Sequence, residues 1–213
     1  MTTLTELAPV NLVSTSPTAV AVNPKLGVST LKELVALSKT RPINMGLPLA
    51  GSLSHIVVEM IAKETGCDFF NIAYKGAAPA LSDTLAGHVD ATVGDLGVFL
   101  ALHREKRIQI VTVTSETRMA AAPDVRTAHE DFPGLLATNW NGVFAPAKTP
   151  APVIEKLSSA LRQIGSRSAL RAQYDKASIT PASFATPAQF QKFVAEEYTR
   201  FGRIVRERNI VIS

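Results

Sequence analysis

Short, β-branched apolar runs alternate along the chain with longer segments in which apolar residues recur every three or four positions. The first pattern predicts strands and the second amphipathic helices; their alternation is the grammar of an α/β fold with parallel strands. It is clearest over residues 71–95. Residues 71–74 read as a buried strand, Lys75-Gly76 as a turn, 78–83 as a short helix, and 87–90 as a stop before an apolar strand that closes on Gly94-Asp95. Upstream, residues 9–13 and 18–22 predict two strands separated by Ser16-Pro17. A helix capped by Ser29 places Leu31, Leu34, Val35 and Leu37 on one face and stops at Arg41-Pro42. A strand over 43–46 then leads through a loop into a helix over 52–65, which Gly66 ends.

The second half continues in the same way. Residues 96–102 predict a helix, 108–113 a buried strand, 120–130 a connecting segment and 138–146 another strand. Thr149-Pro150 opens a helix carrying Val153, Ile154, Leu157 and Leu161, with proline suited to that first turn. A helical stretch over 169–176 follows. The last helix, 187–208, bears an apolar stripe of Phe190, Phe193, Val194, Tyr198, Phe201, Ile204 and Val205.

With 213 residues, the chain is long enough for one large domain or two small lobes, and 46% hydrophobic with 19% charged residues excludes wholesale disorder. No apolar run is long enough to span a bilayer. Residues 1–6 show no basic region leading into an apolar core, so no signal peptide is expected in the sequence as it stands. The single cysteine, Cys67, excludes an internal disulfide and a cysteine-built metal site. The net charge of +4 gathers in residues 103–107 and at Arg200, Arg203, Arg206 and Arg208. Interleaved acids mark the second set as a solvated helix face, and no aromatic residue accompanies the first to stack on bases. Nucleic acid is therefore not an expected partner, while the positive balance favours anionic solutes.

Three places could hold a ligand, each at the expected C-terminal end of a strand, where open α/β sheets bind theirs. The first is Gly51, Ser52, Ser54 and His55, where a glycine-bounded loop opens a helix. First-turn N–H groups, the helix dipole and two hydroxyls suit a carboxylate, and glycine lets the backbone approach it. A plain N-cap accounts for either serine equally well, and a structural hydrogen bond for His55. Serine hydrolysis is the alternative chemistry for this segment, without a Gly-x-Ser-x-Gly elbow or an evident orienting acid. The second place is Tyr74, Lys75 and Gly76; the third is Asp95, whose expected role is to cap the following helix. No paired acid and base, metal-ligand cluster or nucleotide loop stands out, so neither a catalytic residue nor a cofactor is expected.

Taken in order, Leu7-Ala8-Pro9-Val10, Val22-Asn23-Pro24, Ser54-His55, Tyr74-Lys75-Gly76, Val113-Thr114-Ser115 with Arg118, and Pro123-Asp124-Val125 with Thr127 resemble the Bug-type solute receptors of tripartite tricarboxylate transporters. The resemblance continues through Trp140-Asn141-Gly142, Ala145-Pro146, Thr149-Pro150 and Thr186-Pro187-x-x-Phe190. It implies a type II periplasmic-binding-protein-like α/β fold of two lobes closing on a small, often carboxylated metabolite, with membrane transporter subunits as partners and no catalysis. The family's signal peptide and its Pro-Phe-x-Pro-Gly-Gly-type first-lobe loop have no counterpart here. The expected organisation is accordingly a nearly complete second-lobe-like domain over residues 1–120 and, over 121–213, a connecting segment with the C-terminal strand and helices of the first lobe.

The expected function is binding of a small carboxylated solute, in the periplasm by resemblance and in the cytoplasm if Met1 is the true start. A non-transport interaction or regulatory module derived from such a receptor is the alternative. With part of a lobe missing, self-association into a homo-oligomer is also expected, because an unpaired sheet edge and an uncovered apolar face are unfavourable in water.

Overall fold

In a computed structural model, which describes residues 3–182 and 186–211, strands and helices alternate along most of the chain. The elements are α1 (Thr3–Glu6), β1 (Leu7–Val22), α2 (Leu31–Ser38), β2 (Ile43–Leu47), α3 (Leu53–Thr65), β3 (Phe69–Ala73), α4 (Ala77–Ala86), β4 (Ala91–Asp95) and α5 (Leu96–Arg104). They continue with β5 (Gln109–Val113), α6 (Ala128–Asp131), β6 (Thr138–Pro146), α7 (Ala151–Gly165), α8 (Ser168–Lys176), β7 (Thr180–Pro181) and α9 (Pro187–Glu207). Two compact units share them: residues 17–139 with the segment from Arg203 on, and the chain up to Ser16 with residues 140–202.

This division differs from a cut between residues 120 and 121. Residues 121–139 stay with the first unit because Ala122 and Val125, then Ala128, Leu135 and Ala137, are buried in its two cores. The strand β1 belongs to both units, and one extended run replaces the two strands expected there. Its pairing partners change at Pro17: Ser14 and Thr15 face β7, whereas Thr18 to Val22 face β4 and β5. A residue without an N–H is tolerated where the ladder changes hands.

In the larger unit the strand order is β3-β2-β4-β1-β5. Strand β2 runs parallel to β3 and to β4, and β1 is antiparallel to both β4 and β5. Alternation of side chains then builds a core on each face. Val20, Val22, Ile43, Met45, Leu47, Ala91 and Val93 meet α2 and α3 on one face, while Ala19 and Ala21 meet α5 on the other, where Leu81 and Leu85 of α4 also pack. Gly46 lets α4 come close on that second face, since a Cβ there would lie 3.2 Å from Val89 and 3.6 Å from Ala80. Strand β3 lies at the edge of this sheet with Phe70 63% exposed, so it is half-open and not the buried strand its sequence suggested.

Caps set the helix starts. The cap of α2 is Thr30, not Ser29: Thr30 Oγ1 accepts from Glu33 N, and Glu33 Oε2 accepts from the N–H groups of both Ser29 and Thr30. Part of the expected connecting segment is helical, because Thr127 and Glu130 form a second capping box that starts α6. Glu130 also receives two 2.8 Å hydrogen bonds from the Arg118 guanidinium.

The smaller unit packs Val10 with Ala145, Ile154 and Leu161, and Leu12 with Phe190, Val194, Trp140 and Phe144. Trp140 meets Phe190 and Phe193 edge-on at 6.0 and 5.7 Å. Helix α7 turns Ile154 and Leu161 inward, with Ser158 fully buried and accepting from Asn11 Nδ2 at 3.2 Å; Val153 and Leu157 lie on its exposed side. Of the α9 stripe, Phe190, Val194 and Ile204 are buried, and Tyr198 is exposed.

Two outcomes are expected. A Cβ on Gly142 would fall onto the Phe190 ring, so Gly142→Ala should cost about 1–3 kcal/mol in urea unfolding. Arg118, then the Thr127 N–H, hold the Glu130 carboxyl at about 2, well below the ordinary 4.5. A carboxyl depressed in the folded state stabilises above its unfolded value, so this contribution should vanish as pH falls from 4.5 towards 2. Glu130→Gln should therefore lower stability at neutral pH and flatten the acid limb of a midpoint-against-pH curve; an unchanged acid limb would refute it.

Candidate functional site

Parallel pairing places three strand ends at one edge of the larger unit's sheet. Leu47 of β2 lies opposite Ala73 of β3, and Gly46 opposite Thr92 of β4. Each of these strands is followed by a helix: α3 after a five-residue loop, α4 after three residues and α5 at once. Three helix N-termini of at least two turns therefore open on the same edge. Their first-turn N–H groups have no intrahelical acceptor, and each carries partial positive charge.

A cavity of about 450 Å³ lies between them, in the size range of small-molecule sites. Helix α3 contributes Ser52, Leu53 and Ser54, and α4 contributes Ala77, Ala78 and Leu81. From β4 and α5 come Thr92, Val93, Gly94, Asp95, Val98 and Phe99, and Thr18, Pro48 and Asn139 complete the wall. Gly94 has to be glycine because a Cβ would stand 2.9 Å from the Phe99 ring, which packs against the strand end.

The polar groups around this cavity have distinct duties. Ser52 Oγ caps α3 by accepting from His55 N at 3.4 Å. Ser54, 8% exposed, has no hydrogen-bond partner for its hydroxyl among the described residues, and it lines the cavity. Thr18 Oγ1 is shared with Thr114 Oγ1 at 2.5 Å, and Thr92 Oγ1 donates to Gly46 O at 2.8 Å, so both hydroxyls serve the sheet. Helix α4 follows Gly76 with no side-chain cap, and Ala77 and Ala78 of its first turn line the cavity. Asp95 occupies the cap position of α5 without capping it; its Oδ1 accepts instead from Asn139 Nδ2 at 3.2 Å.

Over residues 1–210 the sequence matches the tripartite tricarboxylate transporter family receptor. The chain belongs to that receptor family. It is 34% identical over 169 residues to a UPF0065 protein of Bordetella bronchiseptica, covering 79% of this chain and 50% of that protein. To protein BugT of Bordetella pertussis it is 31% identical over 207 residues, covering 96% of this chain and 63% of BugT. The chain thus spans 50% and 63% of these two relatives. Among solved structures, R. palustris Rpa4515 with adipate superposes with a TM-score of 0.87 at 24% identity, over 97% of this chain and 70% of that one. That likeness speaks to the fold, which is the mixed α/β fold of periplasmic solute-binding proteins.

Of the eight residues singled out in the sequence of this family member, Ser52, Ser54 and Asp95 line the cavity together. Gly51 and His55 are bound to each other instead: Gly51 N donates to His55 Nδ1 at 3.0 Å, and His55 Nε2 faces Glu59 Oε1 at 3.7 Å. Glu59 is buried and also accepts from Asn71 Nδ2 at 2.9 Å and Arg208 Nε at 2.6 Å, so the histidine is part of a structural network. Among the described residues, neither serine hydroxyl is hydrogen-bonded to the imidazole, the contact a serine nucleophile needs. Tyr74 lies just past β3, and its hydroxyl donates to Asp83 Oδ2 at 2.7 Å, tying the strand end to α4; burial, then this bond, raises the phenol above its ordinary value. Lys75 is exposed and outside the cavity wall. Gly76 N donates to Pro48 O at 2.8 Å and prolongs the β2–β3 ladder. The expected cap at Asp95 is absent, and its Oδ1 accepts from the Asn139 amide.

Sequence reasoning passed over Asn139, Thr18 and Thr92 as site residues. Asn139 sits 44 positions from its partner Asp95, and no local periodicity announces such a pair. Thr18 and Thr92 were legible as strand residues, and their arrival at one cavity depends on strand order.

Separation of cap from cavity hydroxyl is measurable. Ser52→Ala should lose about 1 kcal/mol of stability in denaturant unfolding. Ser54→Ala removes a cavity-lining hydroxyl that has no hydrogen-bond partner among the described residues and should stay within about 0.5 kcal/mol of the parent. A larger loss for Ser54→Ala than for Ser52→Ala would reverse these assignments.

Proposed function

We propose that this chain is the solute-binding part of a tripartite tricarboxylate-type receptor, taking up a small carboxylate in the cavity at the ends of β2, β3 and β4. The observation that carries the reading is the convergence of three helix N-termini on one cavity that Ser54 also lines, its hydroxyl without a hydrogen-bond partner among the described residues. Helix N-termini favour anions through N–H groups and dipole together, and a hydroxyl adds a donor of its own. The ligand-facing donors are then Ser54 Oγ and the first-turn N–H groups of Leu53, Ser54, Ala77 and Ala78. Gly51, His55, Tyr74 and Gly76 act one step back, holding the two loops. A carboxylated ligand accords with Rpa4515, solved with adipate.

On this reading the protein binds and releases its solute unchanged. Its setting is the periplasm, and its macromolecular partners are the membrane subunits of such a transporter. The hydrolase alternative gains nothing from the His55 geometry.

The test is isothermal titration calorimetry of the 213-residue chain against mono- and dicarboxylates of four to six carbons, followed by enzymatic assay of the same compounds. Saturable binding of at least one carboxylate is expected, without turnover. One charge-assisted hydrogen bond contributes about 1.5–3 kcal/mol, so Ser54→Ala should weaken that binding about tenfold or more. No binding of any carboxylate, or an affinity indifferent to Ser54→Ala, would remove this cavity as a carboxylate site.

A further inference from the structure

The wall of the cavity bears on what the carboxylate carries behind it. That wall is largely apolar, with Leu53, Leu81, Val93, Val98 and Phe99 among its side chains. Four of the five are fixed from behind. Leu53 and Val93 belong to the core shared with α2 and α3, and Leu81 and Phe99 to the core shared with α5. The absence of a Cβ at Gly94 seats the Phe99 ring against the end of β4. Val98 is different. It lies in the first turn of α5, is 54% exposed, and belongs to neither of those cores. One exposed valine is ordinary on a protein surface. This one lines a cavity of about 450 Å³ together with four anchored apolar side chains.

The polar residues of the same wall are mostly engaged within the protein. Thr18 and Thr114 share a hydrogen bond, Thr92 donates to Gly46 O, Ser52 caps α3, and Asn139 donates to Asp95. Ser54 is the lining residue whose hydroxyl has no hydrogen-bond partner among the described residues. The cavity thus provides for one polar head and, beyond it, for hydrocarbon. A hydroxyl on the body of the solute gives up water and meets protein groups already committed to each other, so its desolvation is not offset. A methylene at the same place gains by leaving water. Resting on the carboxylate reading above, we propose that the cavity selects carboxylates with a plain hydrocarbon body, aliphatic or aromatic, over their hydroxylated counterparts of the same skeleton, and that Val98 is a specificity-determining residue.

Calorimetry on the full chain with two matched pairs, butanoate against 3-hydroxybutanoate and phenylacetate against mandelate, tests this. In at least one pair the plain acid should bind about fivefold to tenfold tighter. A closed hydrophobic pocket rejects an added hydroxyl by about a hundredfold, and the exposure of Val98 leaves this wall partly open. Two further methylenes, from butanoate to hexanoate, should tighten binding about tenfold. Val98→Thr keeps the side-chain shape at an exposed position and puts a hydroxyl into the wall; it should weaken hexanoate about threefold and narrow the ratio within the pairs. The wild-type ranking stands as a test by itself should that variant fold poorly. Hydroxy acids binding as tightly as their plain counterparts in both pairs, an affinity flat from butanoate to hexanoate, or ratios unmoved in folded Val98→Thr protein would each overturn the inference. Binding that is still weakened by Ser54→Ala under those outcomes would leave the carboxylate site intact. Failure of all these acids to bind would overturn both.

Discussion

Parallel pairing of β2 with its two neighbours is the constraint on which the rest of the larger unit depends. A parallel ladder aligns strand ends instead of alternating them, so each chain segment leaving β2, β3 or β4 departs from the same edge. Each must return by a helix, and each helix begins there. The antiparallel β1, placed between β4 and β5, closes the register on the other side without adding a fourth helix start to that group. The cavity is thus a geometric result of the ladder, and its electrostatic character follows from backbone groups before any side chain is chosen.

Side chains then refine what the backbone provides. Glycine at Gly46 and Gly94 permits close packing of Tyr74, α4 and Phe99 against the strand ends, so the cavity floor is dense. His55 is used to hold Gly51, and behind it Glu59 gathers Asn71 and Arg208, a buried acid that is acceptable because it is paired and hydrogen-bonded. Tyr74, Asp83 and His88 do the same for the neighbouring loop, with the Tyr74 hydroxyl, then His88, drawing the Asp83 carboxyl below its usual range. Both loops are therefore stiffened from behind by polar contacts that leave the cavity side free.

Much of this was legible from residues in a row. Ser52 before an apolar helical repeat and Gly66 after it gave α3, and the structure has Ser52 as N-cap and Gly66 left-handed at φ 70°. Gly87 ends α4 in the same way at φ 85°. Errors arose where a long-range partner overrode a local signal. Pro17 looked like a break between strands, yet β1 continues through it because partners are available on either side. Ser29 looked like a cap, but Thr30 and Glu33 form a reciprocal pair that satisfies more donors. Of the apolar residues carried by α7, packing buries Ile154 and turns Leu161 inward, while Val153 and Leu157 stay exposed.

The sequence by itself determined where helices begin and end, which strands are apolar, and which loops carry hydroxyls and glycines, because these follow from backbone sterics and interactions within a few residues. It also carried the order of motifs by which the family was recognised. Tertiary structure decided which loops share a cavity, which hydroxyls are spent on the sheet, and where Asp95 meets them. Ser52 and Ser54 differ by two positions and one hydrogen bond, and only packing makes one a cap while the other lines the cavity without that duty. Asp95 finds Asn139 instead of its own helix for the same reason. Contact between residues far apart in sequence depends on strand order and register, and neither is written in any local window of the chain.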